Sequence, residues 1–386
     1  MSELCTAFGV SRKTGYKWLK RYRDEGADGL VERSRAPHRC ANATPPEVVE
    51  LVVSARQQHP RWGPRKLIAW LEPRHPDVRF PAASTAGAIL KRRGLVKPRR
   101  RRCRVPPYTQ PFAGCEAPND VWSADHKGSF LLGDRERCYP LTIADMWSRF
   151  VLTCDALNST DERLARESFE EAFDTYGLPG TIRTDNGTPF ASPAPGGLSR
   201  LSVWWIRLGI KHERIAPGHP EQNGRHERMH RTLKYEATQP PAATMAEQQL
   251  AFDVFRREFN HQRPHEALGQ KPPAMFYVPS ARPYTGQERD PEYPPGYETI
   301  RLYGKGQTRI AGREVYISLV LANQVIGMRK LDDHTWLVRF ADVDLGLLRE
   351  GEKNLRPIPG VPHSGAAKRR QAATPKRTAR TEKGGE

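Results

Sequence analysis

The stretch from residue 121 to residue 157, VWSADHKGSFLLGDRERCYPLTIADMWSRFVLTCDAL, decides the fold of this chain. It holds three apolar runs, VWSADHKGSFLL, CYPLTIADM and RFVLTCDAL, which are rich in β-branched and aromatic residues. Short segments with Gly, Asp or Ser separate the runs, and this pattern predicts an antiparallel meander of three strands.

Helix and strand patterns alternate after the meander. The segment TDERLARESFEEAFDTYG repeats apolar residues at helical spacing, with Thr160 or Asp161 as N-cap and Gly177 as C-cap. A strand ending at Asp185, a helix in LSRLSVWWIRLG, a fifth strand in IKHERIA and two more helices follow. We therefore expect an α/β core over residues 118–280, built on a five-stranded mixed sheet with helices.

Two small all-α units precede this core. The segment SELCTAFGVSRKTGYKWLKRYRDE predicts a helix, a glycine turn and a basic second helix, which describes a helix-turn-helix over residues 1–35. An ordinary αα-hairpin is the alternative, and the first helix of a complete module is expected to be missing because the chain begins too late to supply it. A second helix-turn-helix-like unit is predicted over residues 46–100. The expected DNA contacts in the first unit are Arg12, Lys13 and Lys17.

The segments that flank the core differ from it in composition. A basic linker is predicted over residues 101–117, and the run KPRRRRCR holds six basic residues in eight. It is a solvated linker, a phosphate-tracking arm or both. Residues 295–358 carry short alternating strands that predict a small β-barrel, and residues 361–386 predict a disordered basic tail. The expected DNA contacts in the arm are Arg99, Arg100, Arg101 and Arg102.

Composition limits the functional class. The chain has 62 Lys and Arg against 44 Asp and Glu, a formal charge of +18, so a polyanion such as DNA is a natural partner. No apolar run approaches the ~20 residues of a membrane span, and no signal region begins the sequence. The six cysteines are scattered without CxxC spacing, which excludes a zinc ribbon and fits free thiols in a cytoplasmic protein.

Three acidic residues occupy informative positions. Asp125 lies in the first strand, Asp185 closes the fourth, and a glutamate lies near the start of the helix after the fifth. If the first and fourth strands are neighbours, their aspartates converge at one sheet edge, and the helix can add a third carboxylate. An all-oxygen ligand set suits two Mg²⁺ or Mn²⁺ ions, which can support in-line phosphoryl transfer. Taken singly, each aspartate is more simply a capping or solvated residue.

The motifs VWSAD, TDNG and GHPEQNGRHER resemble the three motifs of integrase catalytic cores, as in insertion-sequence transposases and retroviral integrases. FNHQRPHEALGQKPPAMFY resembles the closing segment of that core in bacterial transposases, and the N-terminal helical units resemble their paired helix-turn-helix modules. The resemblance implies a ribonuclease-H-like core that holds two Mg²⁺ ions with Asp, Asp and Glu. It also implies 3′-end cleavage at the ends of a bacterial insertion element, strand transfer into target DNA, a homo-oligomer on DNA and a nucleoid-associated location.

Two glutamates compete for the third position. Thirty-five residues separate Asp185 from Glu221, the interval common in the superfamily, whereas 41 separate Asp185 from Glu227. The motif register, with Gly224 three residues before the acid, favours Glu227, and the segment SPAPGGLSR resembles an insertion that lengthens the interval. Glu221 falls in a loop, while Glu227 shares a helix face with Arg231 and Lys234, which we expect to contact DNA. We therefore predict Asp125, Asp185 and Glu227 as catalytic residues and metal ligands.

Two other functions stay open at this point. The chain is either a transposase or a non-catalytic helix-turn-helix regulator derived from one, and a nuclease without strand transfer would use the same site. A surface ion pair is the alternative role for the stripe that begins at Glu227 and continues to Arg231. Asp145 and Glu213 are predicted to be structural.

Overall fold

The computed structural model describes residues 1–33, 43–96, 114–216, 223–310 and 312–358. The first helical unit comprises α1 (Ser2–Ala7) and α2 (Arg12–Glu25). Ser11 caps α2, because its side chain accepts a hydrogen bond from the backbone N–H of Thr14. The predicted helix, turn and basic helix are therefore present.

The second helical unit has a core of its own. Its helices are α3 (Pro46–Gln58), α4 (Pro64–Leu71) and α5 (Ala83–Arg92). Their apolar faces meet around a buried set: Val52, Ala55, Trp62, Leu67, Leu71, Ala86 and Leu90.

The central sheet is mixed. Its strands are β1 (Val121–His126), β2 (Phe130–Leu131), β3 (Arg137–Asp145), β4 (Val151–Leu157), β5 (Thr181–Thr184) and β6 (Lys211–Arg214). β3 lies between β1 and β4 with both pairings antiparallel, β1 pairs in parallel with β5, and β5 with β6. The prediction of a five-stranded mixed sheet is correct for the long strands. It missed β2, whose two residues only extend the pairing along the start of β3.

Helices cover both faces of the sheet. One face packs on α6 (Glu162–Tyr176) and α7 (Arg200–Arg207), and the other on α8 (Gly224–Ala237) and α9 (Met245–His261). Alternation along β1 sends Trp122 and Ala124 into the α6–α7 core. Ser123 and Asp125 therefore face α8, and this face carries the candidate site.

The C-terminal part of the described chain is all β. Its strands are β7 (Glu298–Arg301), β8 (Gln307–Ile310), β9 (Arg313–Tyr316), β10 (Val325–Asp332), β11 (Thr335–Phe340) and β12 (Val343–Arg349). They form a four-stranded sheet in the order β12–β11–β10–β7 and a separate ribbon of β8 and β9. One core joins both sheets and includes Leu198 and Val203 at the start of α7. The sequence predicted a small β-barrel here; the region is β-rich, and its described strands are divided between two separate sheets.

None of the helices in the described ranges combines the length and apolarity that a membrane crossing requires.

Candidate active site

The topology brings Asp125 and Asp185 to one edge of the sheet. Ala124 of β1 is in register with Thr184 of β5, and the two strands are parallel neighbours. Asp125 is the residue after Ala124, and Asp185 is the residue after Thr184. Because the two strands are parallel, both aspartates lie at the same edge of the sheet. The sequence-based expectation that the first and fourth predicted strands are neighbours is correct.

A tight turn holds the carboxylate of Asp185. The backbone N–H of Gly187 donates to Oδ1 of Asp185 at 3.0 Å. A Cβ atom at position 187 would lie 3.0 Å from Oδ2 of the same carboxylate, closer than an ordinary contact. Asn186 Nδ2 donates to the carbonyl of Ile215 at 2.9 Å, which ties the turn to the segment after β6. The Asn-Gly pair thus fixes the position of this side chain.

Glu227 lies in the first turn of α8 and is exposed. The start of this helix is fixed to the sheet, because Ser123 of β1 donates from Oγ to Oδ1 of the buried Asn223 at 3.0 Å. Arg225 also donates to the carbonyl of Met146 at 2.6 Å. These contacts give the glutamate a rigid support. The competing Glu221 lies outside the described residues.

Asp125 experiences the charges of both other carboxylates. Burial, together with the charges of Asp185 and Glu227, raises the pKa of Asp125 to about 7, while Lys127 opposes the shift. Three acids that repel one another in a partly buried site form a natural position for a cation.

Three buried polar residues lie beside Asp125 between α8 and the sheet, and the sequence patterns did not predict them. They are Thr142 of β3 and His226 and His230 of α8. The hydroxyl of Thr142 lies 2.7 Å from Nε2 of His226 and 2.6 Å from Nε2 of His230. Nδ1 of His230 lies 3.6 Å from Oδ2 of Asp125. The signal was available, since HERMH at residues 226–230 places two histidines four apart on one helix face.

Asp145 and Glu213 have structural roles, as the sequence suggested. Oδ1 of Asp145 accepts from the backbone N–H of Asn119 at 2.8 Å, and Oδ2 accepts from both the N–H and the hydroxyl of Ser148. Glu213 pairs with Arg183 at 2.8 Å and Lys211 at 3.0 Å.

The basic residues expected to contact DNA are exposed where the structure describes them. Arg231 and Lys234 are exposed on α8, and within the described ranges no ion pair joins Glu227 to Arg231. The three basic residues of α2 are likewise exposed, namely Arg12, Lys13 and Lys17. The arm residues Arg99, Arg100, Arg101 and Arg102 lie outside the described part of the chain.

A basic cavity of about 210 Å³ lies where the second helical unit meets the core. The guanidinium of Arg61 stacks on Tyr235 of α8 at 4.0 Å, and Arg65 pairs with Glu266 at 3.1 Å. Burial and the nearby charge of Arg263 lower the pKa of Lys66 in the cavity wall to about 8. The cationic side chains that line the cavity are Lys66, Arg149, Arg225, Arg228, Arg231 and Arg263.

Family models match three parts of the chain. Two models described as an integrase core domain match residues 116–220 and 208–273, and a homeodomain-like domain model matches residues 14–90. The sheet, the helices and the candidate site all fall within the integrase-core matches. The resemblance to insertion-sequence transposases that the sequence motifs predicted is confirmed.

Curated relatives include two insertion-element proteins. The uncharacterized 39.2 kDa protein of insertion element IS476 from Xanthomonas euvesicatoria is 30% identical over 228 residues, which cover 58% of this chain and 63% of that protein. The uncharacterized 31.7 kDa protein of insertion element IS407 from Burkholderia multivorans is 28% identical over 191 residues, covering 49% and 66%. The chain thus spans less than two thirds of the length of either relative.

Solved structures of retroviral integrases are also similar. The integrase catalytic core of HTLV-2 in complex with magnesium is 17% identical, and the match covers 42% of this chain and 99% of that one with a TM-score of 0.34. The simian T-cell lymphotropic virus intasome is 18% identical, with 77% and 98% covered and a TM-score of 0.38.

Proposed function

We propose that this chain is a DNA transposase of an insertion element, which cleaves DNA at the 3′ ends of the element and transfers those ends into target DNA. The observation that supports the proposal is the parallel register of β1 with β5, which brings Asp125 and Asp185 to one sheet edge inside the integrase-core match, with Glu227 in the first turn of α8. A non-catalytic regulator would have no need of acids placed on a rigid sheet, a tight turn and an anchored helix.

The three carboxylates fit a divalent-cation site, and we propose that they hold two Mg²⁺ or Mn²⁺ ions. Oxygen ligands suit these cations, and burial together with the charges of Asp185 and Glu227 raises the pKa of Asp125, which a bound cation would reverse. When bound, such ions activate an attacking hydroxyl and neutralise the charge that develops on the leaving oxygen.

The protein residues contribute position. Asp125 is fixed within β1, Asp185 is held by the N–H of Gly187, and Glu227 is carried by a helix whose start is tied to Ser123. Preorganised ligands of this kind lower the reorganisation needed during phosphoryl transfer. Arg231 and Lys234 follow Glu227 by one and two turns, and we propose that they orient the phosphates of the bound strand.

We propose that DNA extends from this site over the helical units. α2 carries exposed cations, and the basic cavity is lined in part by cations of α8, the helix that carries Glu227. The protein also carries a formal charge of +18. Joining two element ends favours a homo-oligomer on DNA. Affinity should fall steeply with salt, and Arg231→Ala should reduce the slope of log affinity against log salt by about 1.

The proposed function is tested by strand transfer of element-end DNA in Mg²⁺, with the terminal repeats taken from the DNA that flanks the gene. We expect wild type to join ends to target and Glu227→Gln to lose this activity. Glu236→Gln is the matched control, because Glu236 lies on the same helix but pairs with Arg263 at 2.6 Å.

Three outcomes would decide against parts of the proposal. Activity that survives Glu227→Gln but is lost in Glu221→Gln would transfer the third role to Glu221. Nicked ends without joined products would indicate a nuclease. Tight DNA binding with no cleavage by wild type would indicate the regulator.

A further inference from the structure

Two histidines beside Asp125 have no role in the carboxylate mechanism. A carboxylate oxygen of Asp125 and one ring nitrogen from each of His226 and His230 lie within 4.8 Å of one another. Both histidines are buried, with 1% and 5% of their surface exposed. Two buried imidazoles next to a metal-ligand candidate are costly unless hydrogen bonds or an ion satisfy them.

The hydroxyl of Thr142 contacts both rings. Its oxygen lies 2.7 Å from Nε2 of His226 and 2.6 Å from Nε2 of His230, and it lies 3.1 Å from the backbone carbonyl of Asp125, which can only accept. In the arrangement that satisfies all three contacts, the hydroxyl donates to this carbonyl and accepts from Nε2 of both rings. The lone pair of each neutral ring is then on Nδ1.

The remaining lone pair of His230 faces an acid. Its Nδ1 lies 3.6 Å from Oδ2 of Asp125, so two acceptors confront each other in a buried site. Two ligands on one ion at the usual ~2.1 Å bond lengths lie roughly 3.0 to 3.5 Å apart, close to this separation. Nδ1 of His226 is also buried and has no hydrogen-bond partner in the described part of the chain.

We propose that a divalent transition-metal ion binds between Oδ2 of Asp125 and Nδ1 of His230, with Thr142 and His226 holding the imidazole in place. This rests on the proposed function in taking Asp125 as a metal ligand, and it changes the metal that the site selects. At a site with a nitrogen ligand, the affinity for Zn²⁺ is higher than that for Mn²⁺, whereas Mg²⁺ prefers oxygen ligands. The site therefore binds Mn²⁺ and Zn²⁺ in preference to Mg²⁺.

The contact of the other ring nitrogen also supports a nitrogen ligand. A histidine ligand usually donates its other ring N–H to a protein acceptor, and Thr142 supplies that acceptor for His230.

The test uses Mn²⁺ alone on the full chain without DNA, followed by pulsed electron paramagnetic resonance. We expect the ¹⁴N modulation of a directly bound imidazole. Labelling the histidines with ¹⁵N should remove this modulation without any substitution, so the result does not depend on a variant that folds. His230→Asn should also remove it and lower the ratio of Mn²⁺ to Mg²⁺ affinity about tenfold.

Two variants serve as controls. His126→Asn should keep the ¹⁴N modulation, because His126 is next to Asp125 in sequence but packs against Phe190 on the opposite face of β1. Glu227→Gln should lower the affinity for Mn²⁺ and Mg²⁺ alike, because it removes an oxygen ligand. It should keep the ¹⁴N modulation, because the imidazole ligand is unchanged.

Bound Mn²⁺ without ¹⁴N modulation would overturn the nitrogen ligand and leave the proposed transposase intact. Failure of the wild-type chain to bind Mn²⁺ at millimolar concentration would overturn it as well. A chain that shows histidine-bound Mn²⁺ but joins no DNA ends would instead retain this inference and contradict the proposed function.

Discussion

The two ends of the β1–β3 pair each carry an aspartate, and the partly buried Asp125 and the buried Asp145 differ in what surrounds them. Asp125 lies opposite Thr142 at one end, and Asp145 lies opposite Trp122 at the other. Asp145 accepts hydrogen bonds from Asn119 and Ser148, whereas Asp125 faces the charges of two other acids.

This difference is what we expect between a structural acid and a proposed metal ligand. Burial raises the pKa of Asp145, but the hydrogen bonds from Ser148 and Asn119 oppose that shift and stabilise its charge. At Asp125 the neighbouring acids add to the effect of burial, so its charge is left for a ligand to compensate. Substitution should therefore affect activity at one end and stability at the other.

The largest expected effect is on strand transfer by Asp125→Asn. Removing a metal ligand should lower the rate by about 10³-fold or more, equivalent to roughly 4 kcal/mol of transition-state stabilisation. The free energy of unfolding should be unchanged or higher, because a repelling charge is removed. Rates on element-end DNA and urea unfolding of the same preparations measure both quantities. If Asp125→Asn and Asp145→Asn both fold and lose the same activity, the two aspartates do not differ in role as we expect.

Asp145→Ala should show the opposite pattern. The substitution leaves the backbone N–H of Asn119 and both donors of Ser148 without their acceptor in a buried turn. We expect a loss of roughly 3 kcal/mol in the free energy of unfolding. Urea unfolding checks this value, with Glu213→Ala as a more exposed acid for comparison. An unchanged midpoint would show that the turn does not depend on this carboxylate.

Sequence patterns predicted much of the sheet but only part of the site. The apolar runs gave the three antiparallel strands, and the caps at Asp161 and Gly177 bounded α6 correctly. Asp125 and Asp185 were predicted because each ends or follows a strand pattern. Thr142 and His230 were missed, since their contact depends on α8 crossing β3, and helical spacing alone does not give the crossing position. The basic cavity was missed for the same reason, because it forms between elements far apart in sequence.

The pH dependence of stability should also differ between the two ends. The pKa of Asp125 is about 7 in the folded chain and 3.8 is its ordinary value, so the folded state binds more protons between these limits. Stability from this group therefore falls as pH rises through that window, by roughly 2.5 kcal/mol between about pH 5 and pH 8. Asp125→Asn lacks this titration. Without metal, its free energy of unfolding relative to wild type should therefore rise by this amount over the same pH range. A gap that stays constant with pH would contradict the raised pKa.

The smallest effect is expected at the turn that supports the second acid. Gly187→Ala places a methyl group 3.0 Å from Oδ2 of Asp185, so the carboxylate must move by a few tenths of an ångström. The backbone at this position is not in the left-handed region, so the substitution tests the contact rather than the turn. We expect strand transfer to fall about tenfold with less than about 1 kcal/mol lost in stability, because a ligand displaced slightly weakens transition-state contacts more than folding. Gly63→Ala, which meets no described atom within 4 Å, is the matched control. If both substitutions leave the rate unchanged, Asp185 tolerates displacement, and its role as a preorganised ligand opposite Asp125 is weakened.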